Sequence, residues 1–241
     1  MIPVIDVLGQ RAVHAKGGRR DEYCPVRSIL RCDSEPIALA TAIRDTFGVH
    51  ELYLADLDAI RGAAPATRLY ADLAALGLST WVDAGLRDGE NVGGLLEAQV
   101  SRIVVGLETV RGPGGLCEIL EGCGPDRVTF SLDLREGKPI IPQGVDWGTL
   151  DPRSIVGKAA KCGVRSVILL DVARVGTGRG SGSVELLKSL DCIYPCIQWI
   201  TGGGVRDRHD LELLDAAGAT AVLIASALHD GSIRAEDLKG L

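Results

Sequence analysis

Two short apolar runs each carry one carboxylate toward their downstream end. Ile2-Pro3-Val4-Ile5-Asp6 leads to Gly9, and Phe130-Ser131-Leu132-Asp133 leads to Gly137. A run of apolar and β-branched residues closed by a glycine is the pattern of a buried strand ending in a loop, so each run sets an acid at a strand tip. Two carboxylates facing one another in a partly dry cleft push their pKa values apart, and one can hold a proton while the other accepts one. That is the equipment of general acid/base catalysis. The alternative is that each aspartate is satisfied by the amides of its own loop. The recurrence of the pattern half a chain apart favours chemistry.

A second constellation is Gly202-Gly203-Gly204 with Ala225-Ser226 a short way downstream. Glycines let backbone N–H groups approach an anion closely, and an adjacent helix N-terminus adds a favourable dipole. The competing reading is a tight turn that needs positive φ. In the first half the matching stretch is Asp83-Ala84-Gly85. A carboxylate aimed at a phosphate costs several kcal/mol when desolvated, so Asp83 is expected to receive a hydroxyl, an amine or a cationic group. Arg19 and Arg20 in one loop, and Arg174 and Arg179 in another, are candidate anion clamps. Arg87 and Arg206 each begin a helix and read as structural. None of the four histidines stands beside a candidate nucleophile, so no hydrolytic triad is expected. No lysine ends a strand, which argues against Schiff-base chemistry.

These residues need a scaffold that delivers strand tips to one place. Apolar periodicity predicts strands at 2–8, 51–58, 79–82, 102–107, 127–134, 166–172, 197–201 and 221–226. Helices are expected at 35–47, 66–76, 89–99, after the glycines of 112–115, at 152–162, up to 217 and at 232–239. Residues 10–31 read as a long polar connection and 173–182 as a flexible glycine-rich loop. The plan repeats: Leu54-Ala55-Asp56-Leu57 matches Leu169-Leu170-Asp171-Val172, Gly85-Leu86-Arg87-Asp88 matches Gly204-Val205-Arg206-Asp207, and Val104-Val105-Gly106-Leu107 matches Leu223-Ile224-Ala225-Ser226. Two similar (βα)4 halves, about 1–123 and 124–241, closing on each other give an α/β fold of the (βα)8 TIM-barrel type in one domain. In such a barrel the working residues sit at the C-terminal strand ends, with a phosphate cup after strands seven and eight.

Composition agrees with that class. Of 241 residues 46% are hydrophobic, 24% charged and only 4% aromatic, and a net charge of −6 argues against non-specific nucleic-acid binding. Seven cysteines with no CxxC pair read as free thiols in a reducing cytoplasm, with Cys192 and Cys196 as core or boundary positions. The first strand begins at residue 2 and no apolar run approaches the length of a bilayer span, so no signal peptide and no membrane association are expected.

On Ile2-Pro3-Val4-Ile5-Asp6, Leu54-Ala55-Asp56-Leu57-Asp58, Val104-Val105-Gly106, Ser131-Leu132-Asp133, Gly176-Thr177, Gly202-Gly203-Gly204 and Leu223-Ile224-Ala225-Ser226, the chain resembles the (βα)8 barrels of histidine biosynthesis along essentially its whole length. Those are the phosphoribosylformimino-aminoimidazole carboxamide ribotide isomerase and the cyclase subunit of imidazole glycerol phosphate synthase. The resemblance implies an Amadori-type isomerisation with Asp6 and Asp133 as the acid/base pair. It further implies one substrate phosphate at Gly203, Gly204, Ala225 and Ser226. From the residues themselves and the matched motifs, Gly176, Thr177, Arg19, Asp83 and Asp171 are also expected around the substrate. No metal and no cofactor are implied, and no protein partner is specified. Three positions differ from the family pattern: Val175 precedes Gly176-Thr177 where the family has aspartate, Leu170 replaces a threonine, and Asp83-Ala84-Gly85 replaces the second phosphate turn. In these the chain is similar to a divergent branch in methanogens, planctomycetes and methylotrophs, which implies a role near methanopterin- or methanofuran-linked one-carbon metabolism. The leading expectation is an isomerase on a small, singly phosphorylated sugar or ribosylated amine. A different enzyme of one-carbon cofactor metabolism, or a catalytically silent barrel that binds a phosphorylated ligand, are the alternatives.

Overall fold

The computed structural model describes residues 1–238 apart from the side chain of Arg20. Eight strands form its frame: β1 (Ile2–Leu8), β2 (Glu51–Asp56), β3 (Ser79–Asp83), β4 (Arg102–Gly106), β5 (Val128–Arg135), β6 (Ser166–Asp171), β7 (Gln198–Gly202) and β8 (Ala219–Ile224). Each pairs in parallel with the next, and β8 pairs back onto β1 through Ile2 opposite Leu223 and Pro3 opposite Ile224. The sheet is therefore closed, a (βα)8 barrel as its repeats led us to expect.

Closure sorts side chains by parity, because successive residues of a strand face opposite sides. Ile2, Tyr53, Ala55, Trp81, Val104, Ile168, Ile200 and Leu223 pack together inside the barrel. Their strand neighbours Ile5, Val7, Leu52, Leu54, Val82, Ile103, Val105, Leu132, Val167 and Leu169 pack outward into the core shared with the helices. Asp6 has the parity of Ile2, and Asp133 the opposite parity to the outward Leu132. Both acids therefore belong to the lumen.

The outer layer comprises α1 (Pro36–Phe47), α2 (Thr67–Ala75), α3 (Val92–Glu97), α4 (Gly112–Cys123), α5 (Pro152–Cys162), α6 (Val184–Ile193) and α7 (Arg208–Asp215). Their ends are chemically marked. The Glu35 carboxylate accepts from the N–H groups of Ile37 and Ala38 at the start of α1, and Gly48 closes that helix at φ 64°. Asp151 and Gly163 do the same for α5.

Several elements differ from expectation. The 10–31 connection contains a small antiparallel ribbon, Arg11–His14 with Cys24–Pro25, that continues from β1 with Asp6 opposite Val13. Strand β2 stops at Asp56 rather than running to residue 58, because the Asp56 carboxylate caps a short helix, Leu57–Ile60. Helix α6 was not expected, and another short helix, Ser226–His229, begins at the serine of the phosphate constellation. The expectation of seven free thiols is corrected: Cys117 on α4 and Cys162 on α5 form a disulfide, since packing of these neighbouring helices brings their Cα atoms to 5.2 Å. Cys192 and Cys196 are exposed rather than core. Among the described residues no helix is long and apolar enough to cross a membrane.

Candidate active site

The C-terminal strand ends open into a cavity of about 370 Å³. Its lining includes Asp6 of β1, Tyr53 of β2, Asp83 of β3, Glu108 after β4, Asp133 of β5, Gly176 and Thr177 after β6, Gly203 and Gly204 after β7, and Ala225 and Ser226 after β8. Strands β1 and β5 lie opposite one another in an eight-stranded ring, so Asp6 and Asp133 approach the cavity from opposing walls.

Asp133 is 6% exposed. Its carboxylate accepts a hydrogen bond from the Ser131 hydroxyl at 2.7 Å and a longer one from the Glu108 N–H at 3.4 Å. Burial pushes its pKa well above the usual carboxylate range, and the negative charges of Glu108 and then Asp83 push the same way against the Ser131 hydrogen bond. Asp133 thus holds its proton to higher pH than an ordinary aspartate does. Tyr53 reports the same field: burial first, then the charges of Asp83, Asp133, Asp6 and Glu108, raise its phenol well above the ordinary value.

The opposite side of the cavity is built from backbone. A side chain at position 202 would bring its Cβ within 2.6 Å of the Leu223 carbonyl oxygen, so β7 and β8 meet too closely there for anything but glycine. Gly203 and Gly204 take φ of 82° and 80°, a left-handed geometry that glycine adopts without strain. The Ser226 hydroxyl lies 3.0 Å from Nε2 of His14, carried in by the ribbon of the first loop. Arg206 also lines this side, its guanidinium held by Asp210 at 2.6 Å. The loop after β6 folds across the mouth: the Gly17 N–H donates to Val175 O at 2.8 Å, and the Gly180 N–H donates to Gly204 O at 2.9 Å. Thr177 in that loop donates its hydroxyl to Arg174 O at 2.7 Å.

Two expected site residues stand elsewhere. The Asp171 carboxylate accepts from the N–H groups of Glu136, Gly137 and Ala173 at 3.1, 2.9 and 3.0 Å, tying the β5 hairpin to the β6 loop outside the cavity lining. Its repeat mate Asp56 accepts from Ala59 N, Ala66 N and the Tyr70 hydroxyl. Arg19 pairs with Glu22 at 3.1 Å on an exposed turn. The Arg20 side chain lies outside the described residues.

Tyr53, Glu108 and His14 are among the lining residues that escaped the sequence reading. Tyr53 and Glu108 carry no motif, although strand parity from Ala55 predicts Tyr53 inward and the repeat sets Glu108 opposite Ala227. His14 gave no signal, because only the ribbon brings it to Ser226.

The closed parallel sheet with its surrounding helices defines the class, a (βα)8 barrel whose mouth is lined by acids on one side and a glycine turn on the other. The chain belongs to the family of histidine biosynthesis proteins, which it matches over residues 1–234. It is 32% identical over 235 residues to a 1-(5-phosphoribosyl)-5-((5-phosphoribosylamino)methylideneamino)imidazole-4-carboxamide isomerase of Deinococcus radiodurans, covering 97% of this chain and 94% of the relative. An isomerase of the same name from Thermus thermophilus is 31% identical over 242 residues, covering 98% and 97%. An uncharacterized protein of Methanocaldococcus jannaschii is 30% identical over 243 residues, covering 99% and 96%.

Proposed function

We propose that this protein is an isomerase, acting by acid/base catalysis on a small phosphorylated substrate of the sugar or ribosylated-amine type. The two half-barrels, about 1–123 and 124–241, work as one catalytic domain. The observation that carries the reading is the joint lining of one cavity by Asp6 and Asp133 from opposing strands together with Gly203, Gly204, Ala225 and Ser226. The names of the relatives support the reaction type.

In this reading the substrate phosphate takes the glycine N–H groups and the Ser226 hydroxyl. Asp133, whose buried and acidic surroundings favour its protonated form, gives its proton to the ring oxygen of an aminoaldose as the C1–O bond breaks and an iminium forms. Asp6 then takes the proton from C2, and the electron pair left behind neutralises the iminium. The enolamine tautomerises to the aminoketose, with no net change in oxidation state or composition. A charged phosphorylated metabolite does not cross membranes unaided, which supports a cytoplasmic enzyme.

One observation favours a substrate other than that of the named relatives, which carries two phosphoribosyl groups by its name. Asp83 and Glu108 stand where the repeat would set a second phosphate cup. Expression in a histidine auxotroph lacking the isomerase is therefore expected not to restore growth. Growth rescue abolished by Asp133→Asn would instead assign the histidine-pathway reaction to this chain. A parent protein that binds a phosphorylated ligand without turning it over, with binding unchanged by Asp6→Asn or Asp133→Asn, would leave the silent-barrel reading.

A further inference from the structure

The glycine-turn side of the cavity holds little side-chain positive charge for an anion. Among the described residues that line the cavity, only His14 and Arg206 are basic. The Arg206 guanidinium is already answered by the carboxylate of Asp210, which is 6% exposed, at 2.9 Å through Nε and 2.6 Å through a terminal nitrogen. His229, at the end of the short helix that Ser226 begins, is 8% exposed, and its ring meets the Ser28 hydroxyl at 3.1 Å. Burial, and then the charge of His14, push the His229 pKa down to about 4, so that ring stays neutral. His14 is what remains.

The His14 ring is held in place from two directions. The ribbon sets the residue opposite Cys24, with Nε2 3.0 Å from the Ser226 hydroxyl. The loop after β6 closes on it, since a Cβ at Gly176 would lie 3.2 Å from the same nitrogen and would run into the Ala15 carbonyl. A hydroxyl has a single proton to give. If Ser226 donates it to Nε2, only oxygen lone pairs are left to face a phosphate, and they repel it. If Nε2 carries the hydrogen, the Ser226 oxygen accepts it and the serine proton can be given to an anion. The state of the ring therefore decides whether Ser226 repels a phosphate or binds it.

We propose that His14 is the positioning residue of the phosphate site: with phosphate bound its ring is an imidazolium that donates Nε2–H to Ser226, which turns the serine proton toward the phosphate and supplies the positive charge that the glycine turn lacks. The proposal rests on the phosphate reading of that turn given above and deepens it. The other titratable groups around the ring are Asp6 and Asp230, acids of the same cavity lining, Cys24 opposite it on the ribbon, and the neutral His229.

The test joins calorimetric titration of the whole protein with inorganic phosphate to nitrogen NMR of its histidine rings during the same titration. His14→Gln keeps an N–H for Ser226 but carries no charge, and should weaken phosphate binding about tenfold, the size of one charge-assisted hydrogen bond. His14→Ala loses donor and charge together and should weaken it further. In the parent protein the His14 ring nitrogens should move to their protonated positions as phosphate is added at neutral pH, a change that a purely structural contact would not give and that needs no variant to fold. Phosphate binding by His14→Gln equal to the parent's, or ring nitrogens unmoved at saturation, overturns the positioning role while leaving the phosphate cup standing. No phosphate binding by the parent removes the cup itself, and this inference with it.

Discussion

The turns after β3 and β7 occupy matching places in the two halves and differ in backbone and side chain. Both end in a glycine held in left-handed geometry, Gly85 at φ 65° and Gly204 at φ 80°, and both glycines are walled in, the first by Ile60 and the second by the carbonyls of Gly180 and Arg174. Two positions differ: Gly203 takes φ 82° where its counterpart Ala84 does not turn to positive φ, and Gly202 has no room for a side chain, whereas Asp83 carries one into the lumen and spends it on the Gly85 N–H. The difference teaches that matching turns of one barrel can diverge both in backbone path and by a single side chain that takes up a backbone donor of its own turn.

The sharpest way to break this comparison is through the acids that serve both ends. Asp6→Asn and Asp133→Asn should each lower kcat by about 10²- to 10⁴-fold with substrate binding retained, read by steady-state kinetics. A loss shared equally by kcat and affinity would mean that the carboxylates hold the ligand and do no proton transfer.

Next in size are the turn glycines. Alanine at position 85 or 204 should cost about 1–3 kcal/mol of stability by urea unfolding, because each added Cβ meets backbone within 3 Å at positive φ. Only Gly204→Ala is expected also to weaken phosphate binding. If Gly85→Ala weakens it as much, the first-half turn still binds phosphate and the asymmetry is lost.

A gain of function sharpens the same point. Replacing Asp83 with glycine and Glu108 with alanine together should release the Gly85 N–H and remove two negative charges. Affinity for bisphosphates should then rise by about tenfold. No rise would show that the first-half turn has lost more than its charge.

The smallest expected effect is on stability against pH. The native pKa of Asp133 is raised above its unfolded value, so the native state binds more protons between the two and stability falls as pH rises through that window, from about pH 4 upward. Urea midpoints of Asp133→Asn should show a shallower decline over that range than those of the parent. An unchanged slope would mean that Asp133 is ionised in the folded protein.

The repeat made Asp6, Asp133 and the two turns legible before any coordinates, since strand tips in a barrel converge whatever the loops do. It also suggested Asp171 as a ligand through its match with Asp56. A match along the chain fixes which tip a residue occupies but is silent on which side of the strand it faces. Leu170 lies on the lumen side and Asp171 on the other, where three backbone N–H groups take its carboxylate.

The sequence by itself determined the eight strands, the closure of two halves and the acid pair, because apolar period and repeat are local properties of the chain. Only the tertiary structure decided that Glu108 and Tyr53 join Asp83 at one end, that His14 reaches Ser226 from 212 positions away, and that Cys117 meets Cys162. Those neighbours come from different βα units, and their distances follow from the curvature of the closed sheet and the packing of its helices, which no single segment encodes.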